Sequence, residues 1–150
     1  QARALLSEAT VLIDQSIEVE GIKIYGSPWT PKFGHWSFMR PINELKEKWE
    51  NIPSDLDILV THGPPETILD EVMDYVPHLG GYEVRHTGCP NLFKKVMETK
   101  PKYHIFGHIH EGHGAKVVGE TVFLNVACLN ELYRPVNPVT VFAVENDRKV

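Results

Sequence analysis

The sequence lacks the features that mark several large classes of protein. It has no apolar run near the roughly 18 residues that a membrane-spanning helix needs, and it has no internal repeat. Its 2 cysteines are too few for a disulfide framework, which favours a reducing, cytoplasmic compartment. Acidic residues outnumber basic ones and give a net charge of −5, so a protein that coats nucleic acid is not expected. We therefore expect neither a membrane nor a nucleic acid as the partner.

What remains has the length and composition of one ordinary domain. The 150 residues are 42% hydrophobic and 23% charged, which is enough to bury a sizeable core. No linker divides the chain, so residues 1–150 are predicted to form a single, partial domain. The chain begins with Gln1 instead of a methionine. We expect an N-terminal segment of the same domain to be missing.

The two ends of the chain show hairpin patterns, and helices are predicted between them. Alternating apolar residues predict one β-hairpin over residues 17–26 and another over 117–126. A helix is predicted over 44–51, where Asn43 serves as the cap, and a second one over 89–99. Their apolar residues recur at helical spacing, which favours one buried face on each helix.

Further segments complete an α/β pattern. Apolar runs over 56–60 and 102–106 predict buried strands, and a last strand is predicted over 139–144. Residues 27–41 are rich in proline and aromatic side chains and predict an ordered loop. Residues 66–88 are hard to interpret, and their apolar spacing suggests one or two helical turns. Strands that alternate with helices and then form hairpins predict a layered α/β fold with a mixed sheet.

Three histidines directly follow the two predicted buried strands. His62 comes after the first, and His108 and His110 come after the second. Ligand sites of α/β sheets gather outside the carboxyl ends of the strands, and neutral imidazole is the commonest metal-ligating side chain. Two residues apart on an extended segment, His108 and His110 would share a face. The three together predict a metal site, although each alone is also compatible with a structural turn residue.

These motifs resemble those of a known family. Residues 61–65 (Thr-His-Gly-Pro-Pro) and 107–110 (Gly-His-Ile-His) resemble the last two metal motifs of the calcineurin-like metallophosphoesterases. Within that superfamily the chain is most similar to the animal metallophosphoesterase-domain-containing (MPPED) proteins. That resemblance includes residues 25–29 (Tyr-Gly-Ser-Pro-Trp), continues through Asn125 and residues 137–138, and so covers nearly the whole chain.

The resemblance implies a fold, a metal centre and a reaction. The fold would be the C-terminal part of a four-layer α/β/β/α metallophosphoesterase sandwich with mixed sheets. His62 and His108 would bind one divalent metal ion and His110 a second; the ions could be Mn, Fe, Zn or Mg. A hydroxide that bridges the two ions would attack phosphorus in line. The implied activity is hydrolysis of small phosphate esters, with phosphodiesters such as cyclic nucleotides as the expected substrates.

The upstream motifs of that family are absent from this chain. It contains no Asp-x-His, Gly-Asp-x-x-Asp or Gly-Asn-His segment, and no glycine is followed by Asp or Asn. We therefore expect the chain to be the C-terminal portion of a longer protein that carries the other ligands. The alternative is a non-catalytic binding or regulatory module that keeps the second half of the fold. A structural zinc site is disfavoured because neither cysteine has metal-ligand spacing.

A few other residues have both a functional and a structural interpretation. His113, in a glycine-rich loop, could contact a bound phosphate or be a solvated loop residue. Asn125 could orient a ligand histidine or satisfy a turn. His104 is expected to be a packed core residue, and Cys89 a structural one. Four aromatic residues of the loop could stack on a nucleobase, although core packing is favoured; they are Trp29, Phe33, Trp36 and Phe38.

Overall fold

A six-stranded mixed sheet forms the centre of the computed structural model, which describes residues 6–145. The strands are β1 (Gln15–Val19), β2 (Ile22–Ser27), β3 (Thr30–Pro31), β4 (Met39–Arg40), β5 (Ile58–Thr61), β6 (Glu71–Val76), β7 (Gly81–His86), β8 (Tyr103–Phe106), β9 (Gly114–Val118) and β10 (Thr121–Asn125). The helices are α1 (Ile42–Glu50) and α2 (Pro90–Thr99), and a single 3₁₀ turn spans Pro77–Leu79.

The order of the strands brings four carboxyl ends to one edge of the sheet. That order is β1-β2-β5-β8-β10-β9, and the inner four strands run parallel to one another. Each outer strand is the antiparallel partner of its hairpin neighbour. Parallel strands end at a common edge, so the segments that follow β2, β5, β8 and β10 lie side by side. A site built from those segments can therefore collect residues that are distant in sequence.

Both helices pack on one face of this sheet. Leu45 and Trp49 of α1 and Leu92 and Val96 of α2 are at most 1% exposed. They belong to one core cluster with the strand side chains Tyr25, Leu59, Phe106 and Phe123. Burying an aliphatic or aromatic side chain contributes about 1.5–3 kcal/mol, so this layer accounts for much of the stability. The predicted mixed α/β class is confirmed; the four-layer sandwich stays a prediction.

The predicted hairpins and helices are confirmed, with shifted boundaries. Helix α1 begins at Ile42, and Pro41 occupies the position that was assigned to Asn43 as the cap. No side chain caps this helix; the Pro41 carbonyl accepts hydrogen bonds from the amides of Glu44 and Leu45. The prediction of Asn43 as the N-cap was wrong. The φ of proline is fixed near the helical value, which suits the start of a helix, and the helix begins directly after Pro41.

The prediction of helical turns based on Leu69, Val72 and Met73 was wrong; the helical turn within residues 66–88 is the 3₁₀ turn Pro77–Leu79. Strands β6 and β7 form an antiparallel hairpin there, and Gly80 closes the turn with a φ of 61°. Its exposure alternates residue by residue along β6, as a period-two pattern requires. The apolar residues read as helical, Val72 and Met73, instead point to opposite faces of this ribbon.

The prediction of a last strand over 139–144 was also wrong. That segment has no regular structure, and Val139 and Val141 are nearly 90% exposed. Side chains hold it instead: the Tyr103 hydroxyl donates to the Ala143 carbonyl, and Phe142 packs on the Tyr103 ring. The order of the described strands leaves the outer edge of β9 unpaired, and residues 139–144 pack on Tyr103 instead of along that edge.

Two negative findings apply to residues 6–145. No helix in this part of the chain has the length and apolar character to cross a membrane. Cys89 and Cys128 are both free thiols, the first buried and the second exposed.

Candidate metal centre

His62 and His108 meet at the shared carboxyl edge of the sheet. They follow the parallel neighbours β5 and β8, and the amide of Gly107 donates to the His62 carbonyl, which fixes the two loops side by side. His62 Nε2 lies 3.1 Å from His108 Nδ1, although the residues are 46 positions apart. The ring centroids are 4.6 Å apart. The predicted convergence of these two imidazoles is confirmed.

The spacing of these nitrogens fits two ligands of one metal ion. A divalent ion binds imidazole nitrogen at about 2.0–2.1 Å. Two such bonds at tetrahedral or octahedral angles put the nitrogens about 2.9–3.4 Å apart. The 3.1 Å separation falls in that range. The separation of the pair thus matches that of two nitrogen donors on one ion, and their direct contact would be replaced by bonds to that ion.

The backbone at His108 is strained in the manner of a functional residue. Its φ is 71°, in the left-handed region that a residue with a Cβ seldom adopts. Such a conformation costs of order 1–3 kcal/mol and persists only where the surroundings enforce it. A side chain added at Gly63 would lie 3.6 Å from the His108 ring and 3.1 Å from Thr30 Oγ1. A side chain at Gly63 would therefore be in ordinary van der Waals contact with the His108 ring, and its tighter contact would be with Thr30.

Both imidazoles are held in the form that binds metal. Burial of the ring lowers the pKa of His62. Burial, together with the neighbouring His62 and His110, lowers the pKa of His108 to about 4. Neutral imidazole carries the free lone pair that a metal requires. At neutral pH the pair therefore needs to lose no proton before it binds an ion.

His110 lies on the same loop but does not join this pair. Its Nδ1 is 2.9 Å from the Asn130 carbonyl, an acceptor, so Nδ1 carries the proton and Nε2 keeps the lone pair. Its ring packs on Tyr133. Strand β8 ends at Phe106, and the expected extended segment is instead a tight turn. The argument from strand alternation was wrong there, yet His108 and His110 line one cleft.

The donor groups of residues 6–145 do not complete a metal site. No set of three or more His, Cys, Asp or Glu side chains among them is arranged to hold one ion. His62 and His108 are therefore two ligands that need others. The proposal that His110 serves a second ion rests on its free Nε2 and on the family motif.

Asn125 supports the histidine loop through the backbone. It is fully buried at the end of β10, and its amide donates to the Ile109 carbonyl at 2.8 Å, between His108 and His110. The same amide donates to the Leu69 carbonyl at 3.2 Å. Asn125 thus fixes the position of the loop, and no hydrogen bond joins it to a histidine ring.

His113 stands apart from the cleft that the two loop histidines line. Its Nδ1 is buried without a hydrogen-bond partner, and His113 is not among the described residues that form the cleft wall. A contact with bound phosphate stays a prediction. His104 is a core residue as predicted: it is fully buried, with Nε2 2.8 Å from Thr61 Oγ1. Cys89 is likewise buried, and it accepts a hydrogen bond from the Trp49 indole.

A cleft of about 680 Å³ opens beside these histidines. Phe33 and Trp36 line it and are 63% and 67% exposed, so the prediction of core packing was wrong for both. Their rings pack edge to face, and Phe33 lies 5.4 Å from the His108 ring. Both rings lie in the loop between the strands Thr30–Pro31 and Met39–Arg40, where they are open to solvent and to a ligand.

The wall of the cleft also contains His86, whose contact with Asp70 sequence reasoning missed. Asp70 is fully buried and lies 2.7 Å from His86 Nδ1, and His86 lines the cleft. The two residues precede and end the hairpin β6–β7, and Asp70 is brought to His86 by that antiparallel pairing. The signal was the Gly80-Gly81 pair between two segments rich in β-branched and aromatic residues, which is typical of a hairpin.

Comparisons with known proteins find curated relatives that match nearly the whole chain. Human metallophosphoesterase domain-containing protein 1 is 40% identical over 148 residues, which are 97% of this chain and 43% of that protein. A UPF0046 protein of Caenorhabditis elegans is 41% identical over 144 residues, 95% of this chain and 34% of its own length. The chain therefore spans less than half the length of these curated relatives, a share consistent with the C-terminal portion that the motifs predict.

The structural comparison agrees at the level of the fold. One crystal structure matches with a TM-score of 0.56 at 18% identity, over 84% of this chain and 49% of the other. No family model matches the chain. The identity of 40% over nearly the entire chain carries the assignment. The chain belongs to the family of the metallophosphoesterase-domain-containing proteins.

Proposed function

We propose that the protein hydrolyses phosphate esters with the help of divalent metal ions bound at His62, His108 and His110. The observation that carries the proposal is the His62–His108 pair, whose nitrogens lie 3.1 Å apart at the carboxyl edge of the sheet. The name of the human relative supports it, since that protein is called a metallophosphoesterase. The substrates that fit best are phosphodiesters such as cyclic nucleotides.

The residues of this chain have distinct tasks in that reaction. His62 and His108 hold one ion and His110 contributes Nε2 to the other, while Asn125 keeps their loop in place. Bound divalent ions would supply a hydroxide nucleophile and neutralise phosphoryl oxygens. Phe33 and Trp36 offer exposed rings to a planar part of the substrate, such as a nucleobase. The remaining ligands come from a segment outside this chain.

The test is turnover of bis(p-nitrophenyl) phosphate by the natural protein that contains this chain, with and without added Mn²⁺. Turnover should depend on the metal, and His62→Ala or His108→Ala should abolish it. His35→Ala, which alters an exposed histidine of the aromatic loop, is the matched control. Unchanged rates in both site variants would overturn the assignment.

The second candidate is a non-catalytic module that binds a phosphate ester or a metal ion. The observation that favours it is that residues 6–145 alone do not assemble three ligands. The 150-residue chain would then bind Mn²⁺ without hydrolysing the ester. Metal-dependent turnover by this chain alone would exclude the candidate.

We also propose a cytoplasmic location, which the two free thiols support. Fractionation of cells that express the native protein tests it. Recovery of the protein in a secretory fraction would contradict it.

A further inference from the structure

The Asp70–His86 pair forms a fixed unit on the wall of the cleft. Asp70 Oδ1 lies 2.7 Å from His86 Nδ1, and Asp70 Oδ2 accepts hydrogen bonds from the amides of Gly88 at 2.9 Å and Thr67 at 3.0 Å. The carboxylate is fully buried, and the His86 side chain is 43% exposed. The imidazole that contacts this carboxylate lines the cleft.

The second nitrogen of His86 is available to a ligand. Its nearest acidic neighbour is Glu71, whose Oε1 lies 4.0 Å from Nε2, beyond hydrogen-bond distance. The hydrogen bond and the charge of Asp70 raise the pKa of His86, with smaller contributions from the charges of Glu71 and Glu66, while burial lowers it. These contacts favour the protonated ring, in which Nε2–H is a donor at the cleft.

The pair is mechanically joined to the histidine loop. Asn125 donates to the carbonyl of Leu69, directly before Asp70, and to that of Ile109, between the loop histidines. A Cβ at Gly112 would lie 2.0 Å from the Leu69 carbonyl oxygen, so the two segments are in close contact. Asn125 thus ties the segment before Asp70 to the loop of His108 and His110, and these two histidines line the same cleft as His86.

The other charges of the cleft leave few cations for an anionic substrate. Its wall carries the acidic residues Glu66, Asp74, Glu111 and Glu131. Arg85 is paired with Asp74, and Lys32 directly precedes Phe33 in the aromatic loop. Among these side chains, His86 is the one whose orientation is fixed by a buried carboxylate.

We propose that His86, oriented by the buried Asp70 carboxylate, is a substrate-binding residue that donates a hydrogen bond from Nε2 to a phosphoryl oxygen. The proposal rests on the proposed phosphoesterase function, and it adds a contact that lies outside the metal motifs. Its role is to bind and position the anion, so it acts on substrate affinity more than on the chemical step.

The direct test uses the 150-residue chain with Mg²⁺ and inorganic phosphate as the probe. The ¹⁵N signals of the histidine rings are followed while phosphate is added. His86 Nε2 should shift in a saturable way, and His78, an exposed histidine of the same hairpin without a carboxylate partner, should not. No response at His86 would overturn the proposal, and this readout needs no substitution.

Variants then separate binding from a structural role of the pair. His86→Gln should weaken phosphate binding about tenfold, because a charged hydrogen bond is lost. His86→Arg should stay within about threefold of the wild type because it keeps the charge, and His78→Gln is the control. In the turnover of bis(p-nitrophenyl) phosphate by the natural protein that contains this chain, His86→Gln should raise KM and leave kcat nearly unchanged. Wild-type phosphate affinity in His86→Gln, or an equal loss in His86→Arg, would overturn the proposal.

The same data distinguish failure here from failure of the proposed function. A saturable shift at His86 in a protein without metal-dependent turnover would contradict the hydrolase and support this binding site. Turnover that requires His62 and His108, combined with no phosphate response at His86, would contradict this inference alone.

Discussion

Two tryptophans 13 residues apart show that two parts of this molecule are built differently. One part is the closed layer, in which α1 and α2 cover one face of the sheet, and the other is the cleft. Trp49 on α1 is 1% exposed and packs in the core under the sheet, whereas Trp36 in the aromatic loop is 67% exposed and lines the cleft. The first belongs to an amphipathic helix and the second to a loop without periodicity. Stability therefore resides in the helix–sheet layer, and the surfaces for ligands lie on segments that contribute little to it.

Substitution of the two tryptophans is the strongest test of this comparison. Trp49→Ala should lower the free energy of unfolding by about 3–5 kcal/mol, because it leaves a cavity among close-packed side chains. Trp36→Ala should change it by less than about 0.5 kcal/mol, as most exposed substitutions do. Urea unfolding of both variants gives the answer. Equal losses would mean that the aromatic loop is part of the core.

A pair of glycines tests the junction between the hairpin segment and the histidine loop. Gly112→Ala places a methyl group 2.0 Å from the Leu69 carbonyl oxygen and should cost about 1–3 kcal/mol. Gly34→Ala meets nothing within 4 Å and should be nearly neutral. Thermal unfolding of the two variants measures the difference. If Gly112→Ala were as stable as Gly34→Ala, the two segments would not be packed as described.

The pH dependence of stability probes the closed layer at His104. Burial lowers the pKa of His104 to about 3, against an ordinary value of 6.5. Below pH 6.5 the unfolded chain therefore binds a proton at His104 that the folded chain does not bind. The free energy of unfolding falls as the pH drops from 6.5 towards 3. The slope from this residue is at most about 1.4 kcal/mol per pH unit. The slope of His104→Gln, measured by urea unfolding, should be smaller; identical slopes would contradict the burial.

The two thiols provide the smallest but most easily measured contrast. Cys128 is exposed and should react with a thiol reagent in the folded protein. Cys89 is buried, and burial raises the pKa of its thiol, so it should react only on unfolding. Counting labelled thiols by mass spectrometry with and without urea checks this. Rapid labelling of both in the folded state would show that the layer opens easily.

The sequence predicted the closed layer because its patterns are local. Leu45 and Trp49 lie four apart on one helix, and the runs around Leu59 and Phe106 contain mostly apolar residues, so both helices and the buried strands could be placed. The meeting of His62 with His108 also followed from a local rule, since each comes directly after a strand. Parallel pairing of those strands then made the contact.

The parts of the site that could not be predicted depend on tertiary contacts. To predict the Asp70–His86 contact, β6 must be recognised as a strand, and its residues Val72 and Met73 fit a helix as well as a strand. The exposure of Phe33 and Trp36 depends on what lies above their loop, and composition does not specify that. The segment over 139–144 has strand-like residues, but it packs on Tyr103 instead of joining the sheet, a tertiary contact that its own residues do not specify.

The central claim is that His62 and His108 bind one metal ion together. Isothermal titration of Mn²⁺ into the 150-residue chain, into His62→Ala, into His108→Ala and into the control His35→Ala tests it most directly. We predict that either site substitution weakens metal binding at least about tenfold, that the double substitution costs little more, and that His35→Ala binds as the wild type does. Wild-type affinity in both single variants would contradict the claim.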